Sequence, residues 1–439
     1  MKKLCIVSCP IATRSGYGSR SRDFVRSLIE VKGEEWDIKI LPQRWGNTPQ
    51  TALVSPQDDD LISRFVGGVQ QKPDVWIQIT IPNEFQPVGH YNIGVSAVIE
   101  TNQATPAFIE GCNRMDLNLV SSKHSATTLS VVYDKMDDKT KQKIGEVRLQ
   151  KPVEVLFEGF HEDIYDNKLP VHTSVNDVMD SVKEDFAFLF VGHWLQGNNG
   201  EDRKNVGGMI YTFFETFKNK MKKPALILKT SIVAPGITNV HEIRKRIEMI
   251  RNEVNSKNLP NVYILDGDLS DEEMNSLYNH PKVKVHLSFT KGEGFGRPLL
   301  EACISGKPII ASNWSGHLDF LHKDYNFLVG GDVKQVHPSA ANDWIMKEAS
   351  WFTINYSEAS GMLKYVYDNY KKAEERSRKN RKYVKDNFTI GKMTELLREL
   401  LQKHGAGNGP QQVALQLPNL KKIGDTKTLQ LPKLKKPNA

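Results

Sequence analysis

The chain reads as an α/β protein built from two doubly wound parallel-sheet domains. Three observations predict this. Its 439 residues exceed one ordinary domain. Short apolar runs of strand length alternate with amphipathic stretches of helical period, the pattern of a parallel sheet covered on both faces. The series also starts twice, once at Lys3 and again at Phe186.

In the first series, residues 3–9, 37–41, 75–79, 93–99, 117–120 and 153–157 read as strands, with helical patterns at 21–31 and 122–132. A polar stretch over 162–184 contains Pro170 and lacks clear periodicity, so the linker is placed at 166–184. The second series has strands at 186–191, 225–229, 262–265, 283–287 and 308–311, and helices at 209–217, 241–254, 271–278 and 297–305. Asp271 opens an acid-rich first turn, as a helix N-terminus favours. Beyond about Ser339 the pattern is largely helical, and 371–385 is rich in Lys and Arg, read as a solvated helix face.

From 404 to 439 the chain reads as a basic tail without a folding pattern. Leu415-Gln-Leu-Pro-Asn-Leu-Lys-Lys422 recurs as Leu429-Gln-Leu-Pro-Lys-Leu-Lys-Lys436, with a proline inside each copy that argues against helix. Two copies on one tether suit a bivalent docking motif for a protein or nucleic-acid partner, or a low-complexity tail with no partner. The tail's six lysines and one acid account for +5 of the net +7, so the body before it is nearly neutral. That weakens the case for a general nucleic-acid binder.

No apolar run is long enough for a spanning helix, and the one after Lys2-Lys3 is too short for a signal-peptide core. It reads instead as a buried first strand. Cys5, Cys9, Cys112 and Cys303 lack zinc-ligand spacing and read as reduced, buried thiols in a cytoplasmic protein.

The segment richest in chemistry spans 288–321, SFTKGEGFGRPLLEACISGKPIIASNWSGHLDFL. It reads as strand end, glycine loop, helix, strand and turn. Gly292, Gly294 and Gly296 let backbone approach a ligand closely. Pro298 suits a first helical turn. A glycine loop feeding a helix N-terminus offers N–H groups and a positive dipole end to an anion. Glu293 and Glu301 supply carboxylates, which read either as acceptors for the hydroxyls of a sugar and of a ribose or as a loop charge and a surface helix residue.

This segment resembles the signature of retaining glycosyltransferases of the family 4 type, an E-x7-E motif in the frame EGFGxPxxEAxxxGxPxxAS. Glu293, Gly294, Phe295, Gly296, Pro298, Glu301, Ala302, Gly306, Pro308, Ala311 and Ser312 all fit it. Phe188-Leu-Phe-Val-Gly192 followed by Arg203-Lys204-Asn205 is similar to the start of that family's second domain. The resemblance implies a GT-B architecture, two Rossmann-like domains facing a central cleft, over most of residues 1–403.

It also implies residue roles. Glu293 would contact the donor sugar and Glu301 the nucleotide ribose, with the Gly294, Phe295 and Gly296 amides over the sugar and diphosphate. Lys204 would neutralise the diphosphate. The family's arginine after Val-Gly is replaced by His193, and Arg203 or Lys229 stands in for the missing charge. Gly16, Tyr17 and Gly18 look like the flexible glycine loop facing the donor phosphates. Glu100 and Asp116 resemble an acceptor-side pattern. The same comparison divides the chain into an acceptor-side domain at 1–165, a nucleotide-sugar domain at 185–370, and helices at 371–403 returning to the first domain.

The expected activity is transfer of a hexosyl or pentosyl group from a nucleotide-diphosphate sugar to an acceptor hydroxyl on a glycan, a lipid-linked sugar or modified nucleic acid. Configuration would be retained, and no cofactor or metal would be required. Asp58-Asp59-Asp60 mimics an acidic metal motif but precedes an apolar helical pattern and reads as first-turn acid. The alternatives are a non-catalytic scaffold acting through its tail repeats, and a glycoside hydrolase using Glu293 and Glu301. The hydrolase needs two carboxyls facing one bond, roughly 5–9.5 Å apart.

Overall fold

The computed structural model describes residues 2–46, 48–137, 139–232 and 235–407. The tail repeats lie outside the described residues. The first domain holds β1 (Lys3–Cys9), β2 (Trp36–Pro42), β3 (Val75–Ile79), β4 (Tyr91–Ser96) and β5 (Leu117–Val120). An antiparallel hairpin of β6 (Tyr133–Met136) and β7 (Lys143–Val147) precedes β8 (Val153–Val155). The sheet is parallel, in the order β2-β1-β3-β4-β5-β8.

The second domain repeats the plan with β9 (Ala187–Val191), β10 (Ala225–Lys229), β11 (Val262–Leu265), β12 (Val283–Ser288), β13 (Ile309–Ser312) and β14 (Phe327–Val329). Its parallel order is β11-β10-β9-β12-β13-β14. In each sheet the strand order reverses beside the first strand, so the loops after β1 and β9 leave at switch points, where such sheets open a ligand crevice.

Burial follows the alternation seen in the sequence. Every residue of β3 and β5 is buried, as a strand covered on both faces requires. The last helix, Ile390–Lys403, inserts Met393, Leu397, Leu400 and Leu401 into the first domain's core against helix Gly16–Lys32. Their i, i+4, i+7, i+8 spacing is one helical face. The chain thus ends its described part in the domain where it began.

Three expectations are corrected. The stretch placed as a linker at 166–184 carries helix Thr173–Met179, and Val175, Met179 and Val182 are buried in the second domain's core. Their 4- and 3-residue spacing was diluted by polar neighbours. The region after 339 is not uniformly helical. There β16 (Ser350–Ile354) pairs antiparallel with β15 (Gly331–Gln335), and its Trp-Phe-Thr-Ile run has the aromatic and β-branched content of a strand. Third, the basic run at 371–385 is partly structural. In helix Tyr370–Asn387, Arg376 donates to the carbonyls of Lys323, Asp324 and Asn326, and Lys385 reaches Asp166 at 3.2 Å.

The four cysteines are buried and unpaired, and burial pushes the Cys9 and Cys112 thiols up to about 12. Asp58 and Asp60 are taken by Arg26, at 2.6 and 3.0 Å. Among the described residues no helix is long and apolar enough to cross a membrane.

Candidate active site in the interdomain cleft

After β12 the chain runs as a buried loop to Gly296, and helix Arg297–Cys303 starts with Pro298 in its first turn. Gly296 adopts the left-handed region (φ 99°), which a side chain would strain. Gly292 and Gly294 are needed for another reason. A Cβ on Gly292 would lie 2.0 Å from the Glu100 carbonyl oxygen, and one on Gly294 2.9 Å from Ala97 Cβ. The loop's backbone therefore lies directly on the first domain. Ser122 Oγ and Ser125 Oγ donate to the Gly294 carbonyl at 2.6 and 3.2 Å.

Charged groups from both domains converge here. Lys204 Nζ is 2.5 Å from Glu293 Oε1. Arg203 Nη1 lies 3.6 Å from Glu293 Oε2 and 3.0 Å from Glu100 Oε1, and donates to the Gly292 carbonyl at 3.1 Å. Asn205 anchors this basic pair from a left-handed backbone position (φ 53°). Its Nδ2 donates to the Phe289 carbonyl and its Oδ1 accepts from Tyr356 OH. Lys291 N–H holds the Arg203 carbonyl at 2.7 Å. Burial pushes the Glu293 carboxyl up, but Lys204 and Arg203 outweigh it and hold the group below the usual carboxylate range. Burial pulls Lys204 down, against Glu293.

An imidazole and a further lysine border this cluster. His193 Nδ1 is 2.7 Å from Ser231 Oγ, and Lys229 Nζ donates to the Gly267 carbonyl at 2.5 Å. Burial lowers the His193 pKa, and Lys204, Arg203 and Lys229 lower it further. The loops after β9 and β10 thus gather positive charge in front of a helix start, an arrangement that stabilises an anion.

A buried imidazole and a half-buried one adjoin the loop. His317 Nε2 is bonded to the Ser312 carbonyl at 2.7 Å, while its Nδ1 is buried without a partner. His124, carried by the first domain, has a buried Nε2 in the same condition. Buried polar groups are ordinarily paired, so these two ring nitrogens are free to take a hydrogen bond at the cleft.

Glu301 belongs to a second cluster. Its Oε1 accepts from Arg297 Nε at 2.9 Å and its Oε2 from Tyr278 OH at 3.2 Å. Arg297 Nη1 crosses to Asp23 Oδ2 in the first domain at 2.5 Å, and Asp23 Oδ1 lies 2.7 Å from His161 Nε2. Burial raises Glu301 to about 7, partly offset by Arg297. The folded protein then holds a proton that the unfolded chain loses from about pH 4.5 upward. Stability should therefore fall as pH rises from about 4.5 to 7, by on the order of 3 kcal/mol for this group. Urea unfolding at pH 5 and 7.5 measures the drop, and Glu301→Gln should remove that share of it. An unchanged pH slope in the variant would show that Glu301 ionises normally.

The structure brings together Glu293, Lys204, Arg203, Glu100, Gly294, Gly296, His193 and Lys229. It separates others. Asp116 lies at the amino end of β5, away from the cleft at the strands' carboxyl ends, and is engaged by Asn92 and Lys151. Its placement on the acceptor side is corrected accordingly. The Phe295 side chain turns into the core, 5.1 Å from the Phe320 ring, so only its backbone is open to a ligand. Gly16, Tyr17 and Gly18 are not a free loop but the first turn of helix Gly16–Lys32, capped by Ser15, whose Oγ accepts from Gly18 N–H.

Sequence reasoning missed His124, His317, Asp23, Arg297 and Trp45. Arg297 stood in view, at a variable position of the motif frame. His317 lay in the same 288–321 segment, and Asp23 and His124 in stretches read as helices, but none of them carries a motif of its own.

Residues 244–344 match the family described as glycosyl transferases, group 1. No curated protein matches the chain. Among solved structures, Anabaena Alr3699/HepE in complex with UDP-glucose is similar at a TM-score of 0.57 and 12% identity, covering 91% of this chain and 100% of that one. A glycosyltransferase from Rickettsia africae is similar at 0.60 and 12%, covering 92% and 98%. Sucrose-phosphate synthase from Thermosynechococcus elongatus is similar at 0.57 and 11%, covering 92% and 100%. The fold is GT-B, two Rossmann-like domains about a central cleft.

Proposed function

We propose that the chain is a retaining glycosyltransferase of the family 4 type that uses a nucleotide-diphosphate sugar. One observation carries this: Lys204 and Arg203 meet Glu293 at a glycine loop that opens a helix, where the two sheets' carboxyl ends face each other. The match over 244–344 and the UDP-glucose bound to HepE support the same conclusion.

The reaction breaks the bond between the sugar's anomeric carbon and the diphosphate oxygen. It forms a bond from the acceptor oxygen to the same face of that carbon, and the acceptor's proton passes to the departing phosphate. Negative charge grows on the leaving group, so fixed cations and N–H donors stabilise the transition state most. Lys204, Arg203 and the loop amides at Gly294–Gly296 fill that role, with Lys229 and His193 behind them. Glu293, kept ionised by Lys204, accepts from sugar hydroxyls, and His124 and His317 offer further bonds to the sugar. Glu301 faces the ribose. Glu293 sits with Lys204 and Arg203, whereas both Glu301 oxygens are taken by Arg297 and Tyr278 in a separate cluster, so the two carboxyls do not face one bond, which disfavours the glycoside hydrolase.

Nucleotide release from UDP-, GDP- and ADP-sugars tests the proposal. Release from one donor, lost in Glu293→Gln, is the expected result. Absence of both release and binding for every donor would overturn it in favour of a scaffold.

A further inference from the structure

The first domain presents an aromatic shelf that the donor chemistry does not use. Tyr17 and Trp45 stack with ring centroids 4.2 Å apart and planes 28° from parallel. Tyr17 OH is fixed by Ser96 Oγ at 2.9 Å and Ala97 N–H at 3.1 Å. Ala97 in turn faces Gly294, so the shelf stands one residue from the glycine loop. Trp45 itself is half-buried, in the loop that leaves the carboxyl end of β2.

That loop is held rather than free. Gln43 N–H bonds the Cys9 carbonyl at 2.8 Å, and its Nε2 bonds Ser8 Oγ at 2.6 Å. Arg14 N–H bonds the Pro49 carbonyl, and the Arg14 guanidinium grips Thr51. An aromatic ring with one face covered, on a loop tied at both ends, is a preorganised stacking surface rather than core filling.

We propose that Trp45, backed by Tyr17, is the acceptor subsite and stacks the apolar C–H face of a pyranose ring in a neutral sugar acceptor. The inference rests on the donor-site function proposed above. The chemistry around the shelf selects the ligand class. The carboxyl groups of Glu100 and Glu158 lie close enough to Tyr17 to act on its hydroxyl. Carboxylates accept from sugar hydroxyls and repel phosphates. A single strand of nucleic acid needs both stacking rings and a positive groove along its backbone. Here a stacking ring stands near carboxyl groups that are already neutralised or buried, Glu100 by Arg203 at 3.0 Å and Glu158 in the interior, a setting of stacking and hydrogen bonding that suits a pyranose ring.

The test is saturation-transfer NMR of the full chain with a panel of neutral methyl glycosides and disaccharides, with and without UDP. Wild type should saturate the ring C–H protons of at least one sugar. Trp45→Ala should weaken that sugar's binding at least about tenfold, a loss of about 1.4 kcal/mol, while Trp45→Phe, which keeps a ring, should restore most of it. Melting curves check that both variants fold. Equal binding by Trp45→Ala, no sugar bound by wild type, or Trp45-dependent binding of an oligothymidylate without sugars would each overturn the proposal. Calorimetry with UDP, GDP and ADP on the same samples reports the donor site separately. A nucleotide bound without any sugar sinks the shelf alone, whereas no nucleotide bound by wild type sinks the donor reading.

Discussion

Lys204→Ala is expected to cut turnover by about 10²–10³-fold, the scale seen when one preorganised charge-stabilising donor is removed. The amine is largely withdrawn from solvent and already aimed by Glu293, so little reorganisation is needed when charge builds on the leaving phosphate. Arg203 compensates only in part, because Glu100 and the Gly292 carbonyl fix its guanidinium in its own place. The loss should appear in kcat at saturating donor, with a smaller effect on donor binding, since Lys229, His193 and the loop amides remain. Glu293→Gln keeps the shape but removes the charge that holds Lys204. Both kcat and donor KM should suffer. Near-normal turnover in both variants, with unchanged melting, would remove these residues from the mechanism.

Much of the architecture was legible because its signals are local. Most parallel strands of both sheets were marked by apolar runs with helical patterns between them. The 3-residue strand β14 and the partly exposed hairpins were not, since a pair of short strands with polar faces leaves little periodicity. Glu293, Lys204 and the glycines were found because a loop that must pass close to something leaves a dense, fixed-spacing imprint. Their partners come from far along the chain. Asp23 and Arg297 are 274 residues apart, Ser122 and Gly294 are 172 apart, and no window of sequence contains both members. Tyr17 shows the same limit. Its glycine-flanked setting suggested a phosphate loop, whereas its hydroxyl and ring are committed to Ser96 and Trp45. Asp116 was misplaced because a strand's two ends look alike in sequence, and only topology tells which one meets the cleft.

Arg297→Met is expected to destabilise the protein by about 3–5 kcal/mol, the cost of breaking a buried ion pair from one side. That is a large share of a typical total stability of about 5–15 kcal/mol. The guanidinium sits between two buried carboxylates, Asp23 of the first domain and Glu301 of the second. Burial pulls Arg297 down, yet Asp23 and Glu301 together hold it well above its ordinary value. Burial likewise pushes Asp23 up, and Arg297 with His161 outweighs it. Removing the cation strands the Asp23 carboxylate in a dry site and leaves Glu301 without its donor. Asp23→Asn in the same background should then recover part of the loss, because the stranded charge is gone. Non-additivity of that double variant in urea unfolding measures the coupling. The bridge also joins the domains one helical turn from the carboxylate assigned to the ribose. Arg297→Met should therefore raise donor KM more than Asp23→Asn does, because it frees Glu301 as well as the interdomain contact. Full additivity and unchanged donor KM would make the bridge a passive surface of the closed cleft instead of a link between donor binding and domain position.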